Sequence, residues 1–186
     1  LIHISTDYVF DGELSRPYRE DDPPNPQSAY GRTKLAGEEA VRATLPEHVI
    51  LRTAWLYGHG GKNFVETMLR LMAERDELSV VDDQLGTPTN ARDLAEAIVR
   101  IVGSAKATFG TYHFSGLGEC SWYGFAAEIY NQARELGLLS STCQIRPVTS
   151  DQFPQRAKRP GNSRLSKDKV TEAYGIVPPS WQESLH

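Results

Sequence analysis

The chain has 186 residues, of which 39% are hydrophobic and 24% charged, as is typical of one soluble globular domain or a large part of one. Its net charge of −4 argues against nucleic-acid binding, which requires a basic face. No apolar run approaches the ~20 residues that cross a bilayer, and no signal peptide is visible, so we expect a cytoplasmic protein.

The first apolar run, residues 1–4, predicts a buried strand, and the polar residues 5–7 follow at its carboxyl end. Because the chain begins directly on this strand without an initiator methionine, we expect a fragment of a longer protein. Residues 11–27 contain four prolines and an Asp-Gly pair, which predicts a loop. Residues 28–44 then predict a helix with a serine N-cap, in which Gly37 would allow close packing on a sheet.

The rest of the chain alternates short apolar runs with amphipathic segments. Strands are predicted over residues 48–53, 78–81, 110–115 and 145–148. Helices are predicted over residues 63–75, 93–102, 122–136 and 166–174, with a last one starting near 181. Turns or loops are predicted over residues 86–90 and 150–165. This alternation predicts a parallel α/β sheet followed by a smaller mixed lobe.

Tyr30 and Lys34 form the most informative pair in the sequence, because a spacing of four residues puts both on one helix face. A nearby ammonium lowers the pKa of a phenol from its usual value of ~10 and suits it to proton transfer with a carbonyl. A hydroxyl of Ser5 or Thr6 could bind the same oxygen, since open α/β sheets bind ligands at the carboxyl ends of their strands. Taken alone, the spacing is more often that of a solvated lysine beside a half-buried tyrosine.

Six segments together resemble the extended short-chain dehydrogenase/reductase family, over nearly the whole chain. In order they are Ser-Thr-Asp-Tyr-Val-Phe-Asp-Gly (5–12), Pro-Gln-Ser-Ala-Tyr-Gly-Arg-Thr-Lys (26–34), Leu-Arg-Thr-Ala-Trp-Leu-Tyr-Gly (51–58), Asn-Phe (63–64), Gly-Thr-Pro-Thr (86–89) and Arg-Pro-Gly-Asn-Ser (159–163). The resemblance implies an α/β fold with the C-terminal part of a Rossmann-like parallel sheet and a smaller mixed α/β substrate-binding lobe. It assigns the catalytic Rossmann-like part to residues 1–76 and 91–116, and the lobe to residues 77–90 and 117–186.

The resemblance also implies roles for individual side chains. Tyr30 would protonate a carbonyl oxygen that Thr6 hydrogen-bonds, and Lys34 would lower the pKa of the tyrosine and bind the nicotinamide ribose. Cofactor binding is implied for Tyr30 and Lys34 together with Ser5, Arg52 and Thr53. Substrate binding is implied for Asp7, Tyr8, Trp55, Asn63 and Arg159. The alternatives are a core position for Trp55 and a solvated loop cation for Arg159.

The function implied by the resemblance is NADPH-dependent reduction of dTDP-4-dehydrorhamnose to dTDP-L-rhamnose for cell-surface polysaccharide, with NADH as an alternative hydride donor. An NDP-sugar epimerase or another 4-keto reductase of the family is the first alternative. A non-catalytic regulatory subunit, similar to the methionine adenosyltransferase β subunit, is the second. The glycine-rich dinucleotide loop of the family does not occur in the chain, so the chain alone is expected to bind NADPH poorly.

The sequence indicates no metal site, although some members of the family form dimers with the help of a divalent cation such as Mg²⁺. The acidic pairs at 38–39 and 82–83 are predicted to be solvated. Cys120 and Cys143 lack metal-ligand spacing and are expected to be free thiols, with a disulfide left open. A homodimer is compatible with the family.

Overall fold

The computed structural model describes residues 1–105, 108–153 and 159–186. Its strands are β1 (Ile2–Thr6), β2 (Val49–Thr53), β3 (Leu56–Tyr57), β4 (Glu77–Val81), β5 (Leu85–Gly86), β6 (Thr89–Asn90), β7 (Gly110–His113), β8 (Cys120–Ser121) and β9 (Gln144–Val148). Its α-helices are α1 (Ala29–Thr44), α2 (Phe64–Glu74), α3 (Ala91–Val102), α4 (Trp122–Glu135), α5 (Asp168–Tyr174) and α6 (Trp181–Leu185). The predicted loop over 150–165 lies partly outside the described residues.

The central sheet is parallel, with strand order β1-β2-β7, which confirms the α/β prediction. All five residues of β2 are buried, as its uninterrupted apolar run predicts for a central parallel strand. The register of β1 and β2 places Ser5 opposite Arg52 and Thr6 opposite Thr53. The β3–β6 and β4–β9 pairs are parallel and the β5–β8 pair is antiparallel.

The helices α1 to α4 begin where short polar side chains cap them. Ser28 and Ser121 accept hydrogen bonds from the amides of Gly31 and Gly124 at 3.0 and 2.9 Å, which confirms both predicted N-caps. The helix α3 begins two residues earlier than predicted, because the side chain of Asn90 caps it. The turn or bulge predicted over 86–90 is wrong in part, since β5 and β6 include residues of this segment.

Two hydrophobic clusters each combine elements that are far apart in the sequence. One joins β2 and β7 to α3 and α5, and the other joins α2 to α4, β4 and the tryptophan of α6. The helix α2 therefore packs with later elements, and α5 packs near the central sheet. The proposed division into two lobes stays a prediction.

The close approach between α1 and the rest of the molecule occurs at Gly31, not at Gly37. A Cβ atom on Gly37 would lie 3.5 Å from the ring of His3, which is an ordinary contact. A Cβ atom on Gly31 would lie 2.1 Å from the carbonyl oxygen of Tyr8. The packing role predicted for Gly37 is therefore wrong, and the backbone of Tyr8 is what requires a glycine on this helix.

Candidate active site

Thr6 closes β1 and starts a short 3-10 turn over Asp7–Val9, which the sequence did not predict. Its hydroxyl accepts a hydrogen bond from the amide of Tyr8 at 3.3 Å and donates one to Oδ1 of Asp7 at 2.9 Å. The turn carries the chain out of the sheet at the carboxyl end of β1. This is the edge where parallel sheets bind ligands.

Tyr30 lies beside this turn. Its ring packs edge-on against the ring of Tyr8, with centroids 5.6 Å apart and planes at 77°. The missing side chain of Gly31 lets the start of α1 come this close to the turn. Because Tyr30 is 55% exposed, its phenol is available to a ligand at the strand end.

Lys34 lies one helical turn after Tyr30 and is half-buried. Its Nζ donates a hydrogen bond of 2.5 Å to the carbonyl oxygen of Ile4 in β1. This contact fixes the ammonium group near the last residues of the strand. The structure thus brings Thr6, Tyr30 and Lys34 to one end of β1, while their catalytic roles stay predictions.

The Asp7 carboxyl group is buried in the site. Burial raises its pKa to about 6, although the hydroxyls of Ser163 and Thr6 oppose this effect. Burial and the neighbouring Asp7 also raise the pKa of Tyr8, and Arg159 opposes both. The sequence predicted that Asp7 and Tyr8 line a sugar pocket; in the structure Asp7 interacts with the hydroxyls of Thr6 and Ser163, and its pocket role stays a prediction.

Arg52 is the penultimate residue of β2, and its side chain contacts α1; its cofactor role stays a prediction. Its guanidinium donates two hydrogen bonds to Glu38 of α1, at 2.8 and 2.7 Å, and its side chain is 1% exposed. Glu38 is fully buried, so the prediction of a solvated acidic pair is wrong for this residue. Burial raises the pKa of Glu38, but the ion pair with Arg52 outweighs burial and leaves the pKa below its ordinary value. The observed role of Arg52 is to join α1 to β2.

The remaining residues predicted to bind the cofactor are also buried in the sheet. Ser5 is 3% exposed and Thr53 is 7% exposed. The hydroxyl of Thr53 lies 3.4 Å from that of Thr89. The cofactor roles of Ser5 and Thr53 stay predictions.

An aromatic wall is linked to this site by Arg159, which acts on the phenol of Tyr8 and also contacts Trp122. Trp55 stacks on Trp122, with ring centroids 3.6 Å apart and planes at 11°. The guanidinium carbon of Arg159 lies 5.4 Å from the centroid of the Trp122 ring, within range of a cation–π contact. Trp55 also has a left-handed backbone with φ of 48°, a conformation that is rare outside glycine. The structure therefore brings together Trp55 and Arg159, two residues predicted to bind substrate, through Trp122.

Sequence reasoning missed Trp122. It follows the N-cap of α4, so the local pattern identified it only as the first residue of a helix. It lines a largely apolar cavity of about 570 Å³, whose walls are Phe64, Thr67, Met68, Leu71, Ser79, Val80, Val81, Trp122, Phe153 and Arg159. A mostly apolar pocket with one guanidinium group suits an aromatic base that carries an anionic group.

Asn63 makes one hydrogen bond within the chain from each end of its amide group. Its oxygen accepts from the amide of Glu66 at 3.1 Å, and its nitrogen donates to the carbonyl of Gly58 at 2.8 Å. The bond from Glu66 caps the N-terminus of α2, and the bond to Gly58 joins the cap to the segment before the helix. The diphosphate contact predicted for Asn63 stays a prediction.

Among the described residues, no cluster of three or more His, Cys, Asp or Glu side chains could hold a metal ion. Cys120 and Cys143 are free thiols. Within the same part of the chain, no helix combines the length and the apolar character that a membrane span requires.

The parallel sheet with polar groups at the carboxyl end of β1 defines a Rossmann-like α/β protein. The chain belongs to the family described as the RmlD substrate binding domain, which matches residues 1–186. It is 46% identical over 185 residues to the spore coat polysaccharide biosynthesis protein SpsK of Bacillus subtilis (strain 168), covering 99% of this chain and 62% of that protein.

Two further relatives carry the name dTDP-4-dehydrorhamnose reductase. The protein of Sinorhizobium fredii is 45% identical over 189 residues, which cover 99% of this chain and 63% of that protein. The solved structure from Bacillus anthracis, in complex with NADP, is 40% identical with a TM-score of 0.90, covering 99% of this chain and 63% of that one. The chain thus spans less than two thirds of the length of these relatives.

Proposed function

We propose that this protein reduces dTDP-4-dehydrorhamnose to dTDP-L-rhamnose with NADPH, in the cytoplasm, as part of cell-surface polysaccharide synthesis. The observation that carries the proposal is the convergence of Thr6, Tyr30 and Lys34 at the carboxyl end of β1. Similarity to proteins named for this reaction, along the whole chain, supports it.

The residues at the end of β1 fit the nicotinamide end of NADPH. The exposed phenol of Tyr30 and the anchored ammonium of Lys34 stand at an open strand end, where ribose hydroxyls could accept and donate hydrogen bonds. When bound, NADPH would supply a hydride to the carbonyl carbon of the sugar.

Side chains of this chain supply the proton for the carbonyl oxygen and stabilise the charge that develops there. Tyr30 donates its phenolic proton to the carbonyl oxygen as that oxygen gains negative charge. Lys34 stabilises the phenolate that remains, since an opposite charge nearby favours the ionised form. Thr6 donates a second hydrogen bond to the same oxygen and stabilises the developing charge.

The aromatic wall serves the nucleotide and sugar. Arg159 is the cation that faces Trp122, and a guanidinium binds diphosphate oxygens well. The apolar cavity beside it accommodates the thymine base, and the exposed part of the Trp55–Trp122 stack contacts the deoxysugar. The proposal includes the diphosphate contact of Asn63, because the bond to Gly58 uses only one of the two N–H groups of its amide.

The test uses the full-length protein with dTDP-4-dehydrorhamnose and NADPH, following NADPH oxidation and identifying the sugar product. The variant Tyr30→Phe is expected to lose about 10²–10⁴-fold in turnover, because it removes the acid. Tyr123→Phe, on α4, is the matched control and should retain turnover. Conversion of the sugar without stoichiometric NADPH oxidation would indicate an epimerase, and full activity of Tyr30→Phe would refute the assigned acid.

A further inference from the structure

The single proton of the Thr6 hydroxyl is committed to Asp7. Oγ1 of Thr6 lies 2.9 Å from Oδ1 of Asp7, and the amide of Tyr8 donates to the same Oγ1 at 3.3 Å. A hydroxyl has one donor and two acceptor positions. While Asp7 is ionised it can only accept, so Thr6 presents a lone pair, and not a proton, to any ligand.

This arrangement conflicts with the role of Thr6 in the proposed reaction, where its hydroxyl donates to the carbonyl oxygen of the sugar. A protonated Asp7 removes the conflict. Its carboxylic O–H can donate to Oγ1 of Thr6, which then accepts from Asp7 and from the amide of Tyr8. Both acceptor positions are filled, and the proton of Thr6 is free for the substrate.

The surroundings of Asp7 make the protonated form accessible near neutral pH. The residue is 3% exposed, and burial raises the pKa of its carboxyl to about 6 despite the hydroxyls of Ser163 and Thr6. Among the described residues, the other titratable or charged groups around this turn are Tyr8 beside it, Tyr30 and Lys34 on α1, and Arg159, which interacts with the phenol of Tyr8.

We infer that Asp7 is a positioning residue that sets the direction of the Thr6 hydrogen bond, and that Thr6 donates to the substrate carbonyl only while Asp7 carries a proton. The inference rests on the proposed function. While Asp7 is ionised, the hydrogen bond between Thr6 and the ligand runs in the opposite direction, because the remaining lone pair of Thr6 can accept from the hydroxyl of the reduced sugar. The protonation state of Asp7 thereby decides whether Thr6 can donate to the ketone or accept from the alcohol.

The experiment measures kcat/KM for the keto-sugar against pH in the full-length protein, since this ratio reports ionisations of the free enzyme. In the wild type, kcat/KM should fall as the pH rises through about 6, the value set by the buried carboxyl. In Asp7→Asn the side-chain amide donates to Thr6 at every pH, so this decrease should disappear. Thr6→Ser should keep the decrease, because it keeps the hydroxyl.

Thr6→Val provides a second and independent readout. It removes the hydroxyl through which Asp7 acts, so it should lower kcat/KM and abolish the same pH dependence even where Asp7→Asn folds poorly. A decrease near pH 6 that persists in either variant would overturn the inference, as would a wild-type profile without it. Absence of NADPH-dependent reduction at every pH would instead refute the proposed function, so the two failures are distinguishable.

Discussion

Glu38 of α1 accepts two hydrogen bonds from Arg52 of β2 in a pair that is almost fully excluded from solvent. Glu38 also accepts from Arg42, at 2.7 Å. Glu38 lies one helical turn after Lys34. The helix that carries Tyr30 and Lys34 is therefore held to the central strand by an ion pair. The geometry of the candidate site therefore depends on an ion pair outside the site.

Removal of Glu38 should destabilise the protein strongly. Glu38→Ala leaves the Arg52 guanidinium buried without its partner, and such a loss costs about 3–5 kcal/mol. We expect a decrease of this size in the free energy of unfolding, measured by urea titration. Glu74→Ala is the matched control, because its i,i+4 pair with Arg70 is more than half exposed and contributes about 0.5 kcal/mol or less. Equal losses in the two variants would contradict the structural role of the buried pair.

The Glu38–Arg52 pair also shows which features the sequence could not predict, namely contacts between distant segments. The five strands of four or more residues and the Tyr30–Lys34 helix were predictable, because periodicity and N-caps are local signals, whereas the two-residue strands were not predicted. Two consecutive glutamates on a helix are typical of a solvated face, and burial of one of them depends on a partner that folding brings from another strand. The contact of Trp55 with Trp122 was missed for the same reason, since it joins distant segments.

Gly31 and Gly37 provide a matched pair of substitutions on α1. Gly31→Ala would place a Cβ atom 2.1 Å from the carbonyl oxygen of Tyr8 and 3.0 Å from Cβ of Pro26, which forces the start of the helix to move. We expect a loss of about 1–3 kcal/mol in unfolding free energy and reduced turnover, because Tyr30 is the preceding residue. Gly37→Ala makes an ordinary contact and should be neutral or stabilising by up to about 1 kcal/mol. Similar behaviour of the two variants would show that α1 does not need this close approach.

His113 should make the protein sensitive to acid. Burial lowers its pKa to about 3, and the nearby Arg52 adds to this effect, whereas the ordinary value is 6.5. Between these values the unfolded chain binds a proton that the folded protein excludes, so stability is fully present above about pH 6.5 and falls as the pH decreases. His113→Asn should reduce the slope of unfolding free energy against pH by up to about 1.4 kcal/mol per pH unit. Identical slopes in the wild type and the variant would refute this assignment, whatever their stabilities at neutral pH.

We expect dTDP alone to bind at the aromatic wall formed by Trp55, Trp122 and Arg159. Two of the three tryptophans, Trp55 and Trp122, form the stack that Arg159 contacts, so dTDP should change the intrinsic fluorescence of the full-length protein. Arg159→Gln should weaken dTDP binding by roughly tenfold or more, because a hydrogen bond to a charged group contributes about 1.5–3 kcal/mol. The loss should be smaller at high salt, where screening already weakens the wild-type contact. Arg92→Gln, at an exposed position on α3, is the control for a change in net charge. Unchanged dTDP affinity in Arg159→Gln would show that the diphosphate lies elsewhere and that the cation over Trp122 has only a packing role.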